Sequence, residues 1–147
     1  MFSKHHNPVA LNTFSHHVAG PPHIGGGYPI DFPCPDNARI RITNIQFTLT
    51  TLIINCYPML YIIPPAGADI LIAASDVAPP NLSTIIGHFS TGITDSIYRL
   101  ADTYLQSPLP VDLFLIPGEI LSLTTANLSV PVDFPHCLIS YDQWIIA

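Results

Sequence analysis

The sequence predicts an all-β fold: an antiparallel, jelly-roll-like β-sandwich of about eight strands, preceded by an extended N-terminal arm. Three observations lead to this prediction. The chain has 16 prolines among 147 residues, and proline interrupts helices. Short apolar segments rich in β-branched residues recur along the chain. Clusters of Pro, Gly, Asn and Ser lie between these segments and are typical of turns.

Residues 1–37 form the predicted arm. They contain runs of proline and glycine and most of the histidines, without helical or strand periodicity. Because proline fixes φ and lacks an N–H, segments such as Phe32–Pro35 are unsuited to helices and central strands. The arm also carries apolar side chains that we expect to anchor it on a neighbouring molecule: Phe2, Leu11, Phe14, Ile24, Tyr28 and Phe32. The alternative is a terminus that makes no such contact.

Residues 38–147 form the predicted sandwich domain. Its first strand alternates apolar and polar residues from Ile40 and changes phase at Asn44, as a β-bulge requires. A helix over Thr94–Gln106 remains an alternative, because apolar residues recur there at helical spacing. The other predicted strands are Leu52–Ile63, Asp69–Ala74, Ser83–Phe89, Ser96–Leu105, Val111–Ile116, Glu119–Thr125 and Cys137–Ile146.

Charge is scarce. Charged residues make up 10% of the chain, against roughly 25% in ordinary soluble domains. Four Lys and Arg against ten Asp and Glu argue against nucleic-acid binding. The segment Ile42–Ala68 has no charge, but Asn55 and Pro58 interrupt it, which favours strands over a membrane span. We expect these strands to be buried on both faces, by the core and by a neighbouring subunit, which predicts a homo-oligomer.

The sequence lacks the patterns that mark enzymes and metal sites. His5-His6 and His16-His17 are adjacent pairs, and adjacent side chains of an extended chain point in opposite directions. His88 lies in an apolar run and is expected in the core or an interface. We therefore predict no catalytic residues, no metal and no cofactor; metal binding or pH sensing by the arm histidines remains an alternative. Three widely spaced cysteines are predicted to be reduced thiols: Cys34, Cys56 and Cys137.

One part of the chain has a distinctive layout. Pro110–Leu123 contains an apolar strand, a Pro-Gly-acidic turn and a second apolar strand. With a first strand at Arg39–Thr50 and a last strand ending Ile139–Trp144, it resembles small jelly-roll virion proteins of tailed bacteriophages, of the decoration, cement and head-fibre-base type. The resemblance covers the layout of residues 38–147. It implies a structural virion component that forms a symmetric oligomer, with a trimer favoured, and binds other virion proteins such as the major capsid protein.

Aromatic residues near the C-terminus support a second hypothesis. Tyr141 and Trp144 are candidate interaction residues, since large amphipathic rings often anchor interfaces. The alternative function is therefore a β-sandwich module that binds a carbohydrate or a receptor. Neither hypothesis involves catalysis. They differ in whether these rings contact another protein subunit or a ligand.

Overall fold

A computed structural model describes residues 12–18, 30–51, 57–76, 83–93, 96–99, 103–125 and 132–146. These ranges contain eleven strands and no helix, so the predicted all-β sandwich is confirmed. The strands are β1 (Asn12–Val18), β2 (Ile30–Pro33), β3 (Ala38–Thr51), β4 (Pro58–Ile63), β5 (Ile70–Ala74), β6 (Ser83–Ser90), β7 (Ser96–Arg99), β8 (Thr103–Pro108), β9 (Leu113–Leu115), β10 (Ile120–Thr125) and β11 (Val132–Ile145). No helix of the described ranges is long and apolar enough to cross a membrane.

The strands form two sheets. The larger has the order β1-β11-β3-β6-β8-β7, with β9 also paired to β3, and the smaller has the order β2-β10-β4-β5. All pairings are antiparallel except that of β6 with β8, which is parallel. The larger sheet is therefore mixed, whereas the sequence predicted an antiparallel one. A parallel pair needs a connection longer than a hairpin turn, and the connection between β6 and β8 includes β7, which pairs antiparallel with β8.

Strand β3 runs through the centre of the larger sheet. Its pairing with β11 shifts register between Ser140 and Tyr141, which lie opposite Asn44 and Ile42 respectively. Thr43 is the extra residue, and its hydroxyl donates a hydrogen bond of 2.9 Å to the carbonyl of Ser140. This bulge confirms the predicted change of phase. It keeps β3 facing the core on both sides of the irregularity, and the inward residues are Ile40, Ile42, Ile45, Phe47 and Leu49.

The segment just before residue 38 belongs to the sandwich. Strand β2 pairs with β10, and Ile30, Phe32 and Cys34 are buried in the core. The ring of Phe32 lies 5.2 Å from that of Tyr141 on the opposite sheet. The folded body of the described chain thus begins at or before Ile30, upstream of the boundary predicted at residue 38. Pro33 is compatible with β2 because this strand lies at the sheet edge, and Pro35 follows the strand.

Two other predicted elements differ from the structure. Of the predicted strand Leu52–Ile63, the part Pro58–Ile63 forms β4, and residues 52–56 lie outside the described residues. The segment Ser96–Leu105 was predicted as one strand or a helix, but it contributes to two antiparallel strands, β7 and β8.

The turn before β10 has the predicted tight geometry. Gly118 has a φ of 85°, a conformation that glycine adopts without steric cost. The amide of Glu119 donates to the carbonyl of Ile116, and the amide of Ile116 donates in return to the Glu119 carboxylate at 3.0 Å. The acidic side chain therefore closes the turn through a hydrogen bond, in addition to facing solvent.

Candidate interaction surfaces

The outer face of the smaller sheet is apolar around β4. Because β4 buries alternate residues in the core, its other side chains point outward. Cross-strand pairing places Leu71 of β5 beside Tyr61, and Ile120 of β10 beside Ile63. We call this surface the apolar face, and its members are Met59, Tyr61, Ile63, Leu71 and Ile120. None of these five carries a charge, but Ser122 of β10 also lies beside Tyr61 on this side of the sheet, and its hydroxyl donates a hydrogen bond of 2.7 Å to the Asp31 carboxylate of β2.

Strand β5 forms one edge of the same sheet. It is paired to β4 alone among the described strands, and its Ile70 and Leu71 are 51% and 52% exposed. Natural edges are commonly protected by Lys, Pro or bulges. Here Ile72 is an extra residue that forms a bulge, but β5 contains neither Lys nor Pro. The edge is therefore apolar and only weakly protected against pairing with another chain.

The charge-free segment Ile42–Ala68 divides into two kinds of surface. On β3 the outward side chains are polar, for example Gln46 and Thr48, whereas on β4 they are apolar. The polar outer side of β3 argues against the expected burial of this strand on both faces, and for β4 that burial stays a prediction. His88 of β6 lies opposite Gln46 and is half-buried on this outer polar surface. It is consequently not a core histidine.

A second cluster lies on the outer face of the larger sheet. Arg39 and Arg41 of β3 point to the same side as Phe114 of β9 and as Asp142 and Trp144 of β11. The Arg39 guanidinium carbon is 4.1 Å from the centre of the Phe114 ring, and that of Arg41 is 5.7 Å from the Trp144 ring. The two rings are 5.8 Å apart and tilted by 46°. These distances are typical of cation–π and tilted aromatic contacts. We call these five residues the arginine–aromatic cluster.

Hydrogen bonds to Asp142 fix the guanidinium of Arg41. Its Nε and Nη2 atoms donate to Oδ2 of Asp142 at 3.2 and 2.5 Å. Asp142 is only 8% exposed, and a buried carboxylate requires such a partner. These hydrogen bonds raise the pKa of Arg41 above its ordinary value. The remaining Nη1 atom lies 3.6 Å from Oδ1 of Asp112, a carboxylate that is largely exposed.

The candidate residues of the arm have different positions. Phe2, Leu11, Ile24 and Tyr28 lie outside the described residues. Phe14 belongs to β1, which pairs with β11 of the same chain and places Phe14 opposite Tyr141. Phe32 is a core residue of β2. The described arm residues therefore extend both sheets of their own chain through main-chain pairing.

The two candidate residues near the C-terminus lie on opposite faces of β11. Tyr141 points toward the core and contacts Phe32, and burial raises the pKa of its hydroxyl. Trp144 points outward into the arginine–aromatic cluster. The structure does not bring Tyr141 and Trp144 together, because residues three apart on a regular strand face opposite ways.

Sequence reasoning missed most of the arginine–aromatic cluster. The available signal was the spacing of two within each strand, which places Arg39 with Arg41 and Asp142 with Trp144 on common faces. The pairing of β9 to β3, which adds Phe114, has no such signal. Among the residues that the structure describes, no three His, Cys, Asp or Glu side chains form a group that could hold a metal ion.

Comparisons with protein-family models, with curated proteins and with solved structures find no match to this chain.

Proposed function

We propose that the protein is a structural component of a virion that assembles as a symmetric homo-oligomer through the apolar face and the β5 edge. The exposed, weakly protected β5 edge beside an uncharged apolar face carries this proposal. Contiguous apolar surface beside an open edge is typical of protein–protein contacts. The virion placement, as a capsid decoration or cement protein, is supported by the resemblance of the sequence layout.

A second copy of the chain is the proposed occupant of the apolar face. Each copy carries a formal charge of −6, so that association is least opposed where the contacting surfaces have no charge. The apolar face meets this condition. The β5 edge and the face adjoin at Leu71, and a head-to-tail contact between the edge of one copy and the face of the next generates a ring when the rotation between copies closes. Closure after three copies gives the trimer that the resemblance implies.

The N-terminal arm is proposed to add main-chain contacts between copies. Strand β1 shows how this works within one chain: it pairs with β11 over seven residues. Exchange of an identical strand between copies uses the same pairing and costs little. Other virion proteins, such as a major capsid protein, are the proposed further partners. Flanking genes for capsid, portal or tail proteins would support this placement, and unrelated neighbours would count against it.

Light scattering coupled to size-exclusion chromatography tests the assembly. We expect a mass three times the 16.0 kDa of one chain at micromolar concentration. Leu71→Lys should weaken association by about 30-fold or more, because it buries a charge in the contact. The matched control is Ile145→Lys, since Ile145 is similarly exposed, at 49%, and lies on the other sheet. A monomeric wild-type chain would refute the proposal, as would equal effects of the two substitutions.

A further inference from the structure

A small cavity lies beside the arginine–aromatic cluster. Its volume is about 170 Å³, and its lining residues are Arg41, Ile42, Thr43, Thr91, Val111 and Asp112. Drug-sized ligands occupy roughly 300–1,000 Å³, so this cavity suits a smaller group. Polar atoms surround it on three structural elements: strand β3, the turn after β6 and the loop before β9. Such convergence of polar groups is typical of a binding site.

The guanidinium of Arg41 is the polar group that is held most firmly at this cavity. Asp142 holds two of the three Arg41 nitrogens, which leaves Nη1 on the side of Asp112. Asp112 itself has a φ of 58°, a left-handed conformation in which aspartate is enriched among non-glycine residues. Thr43 donates its hydroxyl proton to Ser140 and keeps an oxygen that can accept. The positively charged donor Arg41 and the negatively charged acceptor Asp112 therefore lie next to each other at the cavity.

We propose that this cavity binds a single ring of a neutral saccharide. Neighbouring hydroxyl groups of a sugar ring match the pair formed by Arg41 and Asp112: one hydroxyl oxygen accepts from Nη1 and the next hydroxyl donates to the carboxylate. Both hydrogen bonds involve a charged partner, which makes them stronger than neutral ones. The side chain of Val111, 77% exposed, offers an apolar surface for the C–H groups of the ring.

Charge balance favours a neutral ligand over an anionic one. Arg39 and Arg41 bring two positive charges to this region, and Asp112 and Asp142, both paired with Arg41, bring two negative ones. The chain as a whole carries a charge of −6, which repels anions at a distance. An acidic sugar would also bring its carboxylate close to Asp112. This site is separate from the apolar face, so it does not depend on the proposed assembly.

Trp144 provides an indirect readout, because it does not line the cavity but contacts Arg41, which does. It is the only tryptophan of the chain, and its ring lies 5.7 Å from the Arg41 guanidinium. We would titrate the protein with the methyl glycosides of glucose, galactose, mannose and N-acetylglucosamine, and follow Trp144 emission together with saturation-transfer NMR. The expected dissociation constant is on the order of 1 mM, as is common for so few contacts. Sialic acid serves as the anionic probe.

Asp112→Asn should weaken binding about tenfold, because the charge-assisted hydrogen bond is lost. Asparagine also tolerates the left-handed conformation, so the fold should be retained. Asp36→Asn, at an exposed carboxylate outside the cavity, is the matched control and should bind like the wild type. Failure of every neutral probe to bind would overturn the proposal. So would equal binding by the Asp112 variant, or a preference for sialic acid.

Discussion

The ring of Phe47 packs directly against the α-carbon of Gly87 on the neighbouring strand. The two residues are register partners in the pairing of β3 with β6. A Cβ atom added to Gly87 would lie 2.5 Å from Cε2 of Phe47 and still closer to Cζ. Real side chains do not tolerate such a contact, so Gly87 makes space for an aromatic ring that is only 2% exposed. The ring in turn covers the backbone of the glycine.

Gly87→Ala should therefore destabilise the sandwich. Alanine normally improves a strand position over glycine, but here its methyl group displaces a packed ring, and overpacking costs about 1–3 kcal/mol. The free energy of unfolding in urea measures this loss. Phe47→Leu in the Gly87→Ala background should restore part of the stability, which a double-mutant cycle detects as coupling. Ser90→Ala, on the outer face of the same strand, is the control. If Gly87→Ala lowered the free energy of unfolding no more than this control does, the packing argument would be contradicted.

Two truncations should separate the arm from the sandwich. Removal of residues 1–29 deletes β1, which pairs only with the edge of β11 among the described strands, and should leave a cooperative unfolding transition. Removal of residues 1–37 also deletes Ile30 and Phe32 from the core. Loss of such side chains costs about 2–5 kcal/mol each, a large share of a typical stability of about 5–15 kcal/mol. We expect this shorter chain to be unfolded by circular dichroism and thermal melting.

The truncations have a clear adverse outcome. A stable, cooperatively folded chain that starts at residue 38 would show that β2 is dispensable and that the domain begins where the sequence predicted. For the chain that lacks only residues 1–29, a lower oligomer mass with an unchanged melting temperature would support exchange of β1 between copies.

Asp142→Asn should lower the melting temperature more than Asp112→Asn. Both substitutions remove a carboxylate partner of Arg41, but Asp142 is 8% exposed and Asp112 largely exposed. A screened surface pair contributes little, whereas loss of a buried partner leaves a charge uncompensated. Replacing both members of the Arg41–Asp142 pair with apolar residues, as in Arg41→Met with Asp142→Leu, should give a more stable chain than Asp142→Asn alone. Equal melting temperatures of the two single variants would refute the structural role of Asp142.

The sequence predicted the elements more reliably than their arrangement. Alternation on β3 identified its core face and a change of phase at Asn44, next to the bulge at Thr43, because the period of two is a local property of the chain. The turn at Gly118 was predictable for the same reason. The parallel pairing of β6 with β8 was not, since it depends on a crossover that no short pattern records. Residues 30–37 look like an arm because of their prolines, yet an edge strand accepts proline.

The two candidate surfaces also differ in how far the sequence predicted them. The lack of charge around β4 pointed to an apolar face, although the outward residues of β3 proved to be polar. The sequence alone indicated Trp144 as a candidate interaction residue. Its partners Arg41 and Phe114 were not indicated, because they come from strands that are far apart in the chain and meet only through sheet pairing.

Burial of Cys137 should make the fold sensitive to alkaline pH. Burial raises the pKa of this thiol from 9.0 to about 12, and burial also raises that of Cys34. Between these values the folded chain keeps a proton that the unfolded chain has lost. The stabilisation is therefore complete below pH 9.0 and is lost as the pH rises toward about 12. Urea unfolding at increasing pH should show the free energy of unfolding declining by up to about 1.4 kcal/mol per pH unit for this group.

Cys137→Ala should reduce this slope. Both buried thiols should resist a maleimide at neutral pH until the chain is unfolded. Rapid labelling of Cys137 in the folded protein, or an unchanged slope in the variant, would contradict its burial.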